Sequence, residues 1–258
     1  MNHPEAVYSV SFSPDSQLLA TVSRDGSAKL WNLQGQLLAE MLHPQPVYNL
    51  SFSPNGHYLA TASGDNQLRL WDLQGNLHHY WIAHDDSINS VSFSPDGQFL
   101  VTASSDRTAK IWDLGGNLVT ELRGHQDSVN SVSFSPDGQF LATASGDYTV
   151  RLWDRQGNRL AQLEGHQERF FDVSFRPDGK LLAAASNDGR VWQWYLNASL
   201  LADSYGFPGE ITSASFSSQR SLLAAAARDG TVRLWNWQAQ TVTVLAGHRE
   251  WVYAISFS

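Results

Sequence analysis

The chain contains no cysteine, which excludes disulfides, thiolate metal sites and cysteine nucleophiles together. Charged residues make up only 16% and the formal net charge is −8, a balance that argues against nucleic acid or an anionic membrane surface as the main partner. No apolar run approaches the roughly 20 residues of a membrane-spanning helix. Met1 is followed by Asn2, His3 and Pro4, unlike the start of a secretory leader. No phosphate-binding loop with its lysine is present, and no stretch sustains helical periodicity. These absences point to a soluble, cytoplasmic chain with neither cofactor nor metal.

What is present is rhythm. Trp31, Trp71, Trp112, Trp153, Trp194 and Trp235 recur at intervals of 40 or 41 residues, and Phe12, Phe52, Phe93, Phe134, Phe175, Phe216 and Phe257 keep the same beat. So regular a period marks a repeat architecture, which has to be read before any local motif. Hydrophobic residues reach 42%, ample for a core, so one continuous array is expected.

The segment His125 to Glu164 shows what one unit encodes. Ser131-Val132-Ser133-Phe134-Ser135 alternates small polar with apolar residues, as a strand does. Pro136-Asp137-Gly138 turns the chain, proline presetting φ and glycine accepting a positive one. Phe140 to Ser145 reads as a strand buried on both faces. Thr149 to Trp153 and Arg159 to Leu163 supply two more strands. Four short antiparallel strands cannot bury both faces alone, so copies must stack face to face, and radial stacking gives a propeller.

The motifs S-F-S-P-D-G, L-A-T-A-S-G-D and R-L-W-D, with the pairs Gly124-His125, Gly165-His166 and Gly247-His248, resemble the WD-repeat β-propellers over essentially the whole chain. The runs look most like bacterial, especially cyanobacterial, members. The expected fold is all-β: six complete four-stranded antiparallel blades near 3–42, 43–83, 84–124, 125–165, 166–206 and 207–247, with 248–258 as the first strand of a seventh. A closed six-blade ring would leave that strand surplus, and a seven-blade ring would lack three strands. Since exposed apolar edges are avoided, the expectation is part of a longer, seven-or-more-bladed chain.

Fixed offsets place a His, a Thr, an Asp and a Trp in each of four repeats: His3/Thr21/Asp25/Trp31, His43/Thr61/Asp65/Trp71, His84/Thr102/Asp106/Trp112 and His125/Thr143/Asp147/Trp153. A catalytic triad is tempting, but catalysis needs one such set at one pocket, not four copies. The resemblance implies a structural chain instead, Asp to His to Thr hydroxyl to indole. The fifth repeat keeps His166, Asp188 and Trp194 but has Ala184 for the hydroxyl. The sixth has Phe207 for His and Ala225 for Thr, so Asp229 is expected to be solvated and these two repeats less stable. Of the remaining histidines, His78 and His79 are adjacent in a strand and point to opposite faces, a poor chelate.

Function must then sit where the repeat does not dictate the residue. The resemblance implies docking on the face bearing the loops before each inner strand. The residue just before the strand's first apolar position reads Ala6, Pro46, Ser87, Ser128, Arg169, Glu210, Trp251. The residue just after it reads Tyr8, Tyr48, Asn89, Asn130, Phe171, Thr212, Tyr253, and the one before the Asp reads Arg24, Gly64, Ser105, Gly146, Asn187, Arg228. Aromatics and arginines are the usual interface anchors. The candidate site is therefore Tyr8, Arg24, Tyr48, Arg228, Trp251 and Tyr253, with Arg169 and Phe171 as a second patch. The expected function is a non-catalytic scaffold for a protein or peptide partner, with neither nucleic acid nor membrane. The alternatives are a sensor or autoinhibitory module of a larger signalling protein of the nucleotide-switch ATPase type, and an enzyme or small-molecule binder using the central channel.

Overall fold

The computed structural model describes residues 2–164, 167–196, 204–206, 209–217, 221–236 and 238–257. His166, Phe207 and Ser218-Gln219-Arg220 lie outside the described residues. Blade one holds β1 (Val7–Phe12), β2 (Leu18–Ser23), β3 (Ser27–Asn32) and β4 (Leu37–Leu42). Blade two holds β5 (Val47–Phe52), β6 (Tyr58–Ser63), β7 (Gln67–Asp72) and β8 (Leu77–Ile82). Blade three follows with β9 (Ile88–Phe93), β10 (Phe99–Ser104), β11 (Ala109–Asp113) and β12 (Leu118–Leu122). Blade four is β13 (Val129–Phe134), β14 (Phe140–Ser145), β15 (Thr149–Asp154) and β16 (Arg159–Glu164). Blade five is β17 (Phe170–Phe175), β18 (Leu181–Ser186), β19 (Arg190–Tyr195) and the short β20 (Ser204–Gly206). Blade six is β21 (Ile211–Phe216), β22 (Leu222–Ala227), β23 (Thr231–Asn236) and β24 (Thr241–Ala246).

Each blade is a four-stranded antiparallel sheet with its strands in chain order, and no described residue is helical. The turn after each inner strand explains the first hairpin. The Ser135 hydroxyl donates to Asp137 Oδ1 at 2.6 Å, and Gly138, at φ 67°, donates its N–H to the Ser135 carbonyl at 2.8 Å. A β-carbon disfavours that backbone conformation, so glycine recurs there. In blade one Ser16 takes the place at φ 56°.

The core lies between blades. Ala20, Val22, Ala28, Leu30 and Met41 of blade one pack against Val47, Leu50, Phe52, Leu59 and Trp71 of blade two, and equivalent clusters join each later pair. The alanines let neighbouring sheets approach closely. Each large apolar side chain buried this way contributes about 1.5–3 kcal/mol. Successive inner strands β1, β5, β9, β13, β17 and β21 touch in that order, so the blades are arrayed about one axis and the inner strands line it.

Residues 251–257 form no strand, although a seventh inner strand is expected there. The segment nonetheless sits beside β21: the Thr212 hydroxyl donates to the Val252 carbonyl, as Asn89 does to Val129 and Asn130 to Phe170. Neighbouring inner strands meet through side chains rather than a ladder, so β21 gives this segment no strand to pair with. Between it and β1 lies a cleft of about 870 Å³ lined by Pro4, Val7, Val10, Trp251, Val252 and Ala254 among others. Val7 is 39% exposed there, whereas its counterparts Val47, Ile88 and Val129 are fully buried.

Candidate partner-docking site at the channel mouth

Buried polar chains link the strands of blades one to four. The Trp153 indole donates to Thr143 Oγ1 at 2.9 Å, Thr143 donates to His125 Nε2 at 2.7 Å, and His125 Nδ1 donates to Asp147 at 2.8 Å. Repeats one and three repeat it: His3 joins Thr21 and Asp25 with Trp31 on the hydroxyl, and His84 joins Thr102 and Asp106 with Trp112. Burial works against the ionised Asp106, but bonds from His84 and Thr108 outweigh it and hold the carboxyl well below its usual range.

Repeat two departs from that chain. His43 Nδ1 donates to the Met41 carbonyl at 3.2 Å, and Asp65 is taken by Arg69. Only the Trp71–Thr61–His43 part survives. The cause is two residues past the aspartate, where Ser27, Thr108 and Thr149 supply a hydroxyl that clamps the carboxylate beside the histidine. Gln67 stands there in repeat two and accepts from Arg69 instead. Burial, helped by the Arg69 charge, pushes the His43 imidazole down to about 4. Asp229 is exposed in its turn, as expected, where it pairs with Arg233 and accepts from Thr231. In the fifth repeat Asp188 accepts from the Trp192 indole at 3.3 Å.

The mouth of the channel is built by a backbone irregularity. Each inner strand pairs with the second strand through a β-bulge that skips one residue, and the skipped residues are Tyr8, Tyr48, Asn89, Asn130, Phe171 and Thr212. A bulge re-aims its extra side chain. All six, with Arg228 and Tyr253, line a single pocket of about 280 Å³. The series read from the sequence as one position per repeat is thus one continuous surface.

Its composition is uneven. Tyr8 stands 5.5 Å from Tyr48 and 5.1 Å from Tyr253, centroid to centroid. Trp251 lies 5.9 Å from Tyr253. The Arg228 guanidinium lies 4.3 Å from the Trp251 ring centre and 5.2 Å from that of Phe171, and it is ion-paired with Glu210. Phe171, expected in a second patch with Arg169, therefore belongs to the first one. Across the mouth, Asn89 and Asn130 turn their amides into the neighbouring blade's backbone. Gly64 makes room for Tyr48: a β-carbon there would lie 3.3 Å from the ring. Arg24, Arg169 and Trp251 do not line the pocket, and Trp251 lines the cleft beside β1 instead. Arg24 is mostly exposed and reaches Glu5 at 3.5 Å, and Arg169 reaches Asp127 at 3.8 Å.

One layer deeper, a belt ties the blades together, and one of its members is an ionisable carboxyl that the sequence reading missed. Asn49 accepts from Val91 N, Ser90 from Val132 N and Ser131 from Val173 N, at 3.2–3.4 Å. In blade five the position is Asp172, whose carboxylate accepts from Ser131, Ser213, Val173 N and Ala214 N. Burial pushes this carboxyl up against those four bonds. The available signal was a lone charge in a series otherwise read as Ser9, Asn49, Ser90, Ser131 and Ser213.

Family comparison agrees with the architecture. Residues 88–258 match the profile described as the IFT122 first beta-propeller, and residues 1–32 and 35–72 match the WD domain, G-beta repeat. The chain belongs to the WD-repeat β-propeller family. No curated protein matches it. WD-repeat propellers typically serve as protein-interaction scaffolds and are generally non-catalytic. Among the described residues no three His, Asp or Glu side chains gather as a metal site. Trp81 packs on the cluster around Ile88 and Trp112.

Proposed function

We propose that this WD-repeat propeller is a non-catalytic scaffold that docks a protein or peptide partner at the channel mouth. The observation that carries the reading is the convergence of six bulge residues on one pocket, where Tyr8 packs between Tyr48 and Tyr253, and Arg228 lies over both the Phe171 ring of the pocket and the neighbouring Trp251. Large aromatics and arginine supply most of the binding energy in protein interfaces. The bulges and the belt beneath them hold these side chains on rigid strands, so little ordering is left to oppose association. The repeated His–Thr–Trp chains are structural: their polar atoms are consumed inside the blade.

The test compares proteins captured from the native cell by the wild type and by a folded Tyr48→Ala/Arg228→Ala variant. Loss of the same specific partners from the variant, by at least about tenfold, follows from removing two anchors worth about 1–2 kcal/mol each. Unchanged capture, with melting behaviour intact, would move the docking site elsewhere.

A further inference from the structure

The outermost strand of each blade is an open sheet edge, and natural edges are blunted by charges, prolines or bulges. Blades one, three and four use both charge and bulge. Their outer strands β4, β12 and β16 carry Glu40, Glu121 and Arg159 respectively. Each also pairs with its third strand through a bulge that skips Leu38, Val119 or Leu160. Strand β8 has no carboxylate, lysine or arginine, but keeps the bulge at His78. Strand β24 has neither device. It reads Thr-Val-Thr-Val-Leu-Ala, and it pairs with β23 in unbroken register from Thr231↔Ala246 to Asn236↔Thr241.

The divergence falls on two positions. Val242, 52% exposed, takes the place that is bulged out in blades one to four. Val244, 54% exposed, takes the place of Glu40, Glu121 and Gln162. Both project from the side of the strand that is also exposed in the outer strands of blades one and two, at Leu38, Glu40, Tyr80 and Ile82. The result is a straight, uncharged edge of alternating β-branched residues, the composition that pairs most readily with another strand.

We propose that this edge is a self-association site: β24 of one copy pairs antiparallel with β24 of a second copy, joining two blade-six sheets into one eight-stranded sheet. Self-pairing is favoured because a two-fold axis brings the same strand back against itself. A strand without charge then places no like charges opposite one another. With the axis through Thr243, Val242 of one copy faces Val244 of the other, both on one face of the joined sheet. The channel mouth takes no part, so this inference stands apart from the docking function.

Sedimentation velocity over a hundred-fold dilution of the intact chain tests it. The wild type should pass from dimer to monomer, with amide exchange slowed in residues 241–246 of the dimer. Val244→Glu restores the residue type of Glu40 and Glu121. It should weaken association by at least about tenfold, because a charge on the paired edge must be desolvated, while the melting temperature is kept. If that variant failed to fold, Val242→Lys at the other exposed position would serve the same purpose. A wild type that stays monomeric, a dimer that resists both substitutions, or slowed exchange outside β24 would each overturn the proposal.

Discussion

The Ser213 hydroxyl of blade six donates to the Asp172 carboxylate of blade five, 2.8 Å across the interface between them. Ser131 of blade four donates to the same carboxylate at 2.8 Å from the other side. One buried side chain thus clasps three blades.

Removing it should be costly. Asp172→Ala leaves two backbone N–H groups and two hydroxyls facing a void, and unsatisfied buried groups cost about 1–3 kcal/mol each before relaxation. The expected loss is about 2–4 kcal/mol, read from denaturant midpoints. Asp172→Ser, the residue of neighbouring blades, should lose clearly less. Equal losses for the two would mean that the carboxylate's bonds contribute little.

The same residue sets a pH dependence. Burial raises its pKa in the folded chain above the ordinary 3.8, so the folded state holds the proton to higher pH than the unfolded one. That contribution is full below the unfolded value and is lost as pH rises through the folded one. The stability of the wild type minus that of Asp172→Asn should therefore shrink from about pH 4 towards neutrality. A difference that grows over that range would reverse the assignment.

His43 acts in the opposite sense. Its pKa falls from 6.5 to about 4 on folding, so its contribution is present above the unfolded value and is lost as pH falls towards the folded one. About 3 kcal/mol should be lost over that window, and His43→Gln should flatten the profile. Denaturant titrations at several pH values read both slopes.

Repeat two can be converted to the pattern of repeat three. Gln67→Thr with Arg69→Lys supplies the hydroxyl clamp and frees Asp65 from the guanidinium. His43 Nδ1 should then turn from the Met41 carbonyl to Asp65, and its titration should move up from about 4. Ring proton shifts in NMR follow this directly. Stability should rise by about 1 kcal/mol.

In blade four, Thr143→Val should cost about 2–4 kcal/mol, because the His125 ring nitrogen and the Trp153 indole lose one shared partner in a fully buried place. Thr143→Ser, which keeps the hydroxyl, should recover most of that. Thermal melts of the three proteins decide it.

The blades were legible because stacking imposes the same burial pattern on every copy: Trp153 and Trp194 must fill equivalent interfaces, so the period appears in the letters. The site series was legible as positions, since Tyr8, Tyr48 and Tyr253 stand where repeats three, four and six carry Asn89, Asn130 and Thr212. That Phe171 joins them was not, because Arg228 makes the connection from the turn after β22 of the next blade. The capture of Asp65 by Arg69 was hidden for a similar reason. A four-residue offset within one hairpin competes with a histidine 22 positions away, and geometry alone settles which partner wins.

By itself, the order of residues determined six four-stranded units, their turns and the apolar faces that force them together, because each of these follows from local pattern and period. Only the folded ring decided which side chains share the channel mouth, that Asp172 is clasped from both sides, and that 251–257 lies beside β21 without a ladder. Those outcomes depend on distances between blades, and a radial array brings together at its axis residues that lie forty or more positions apart along the chain.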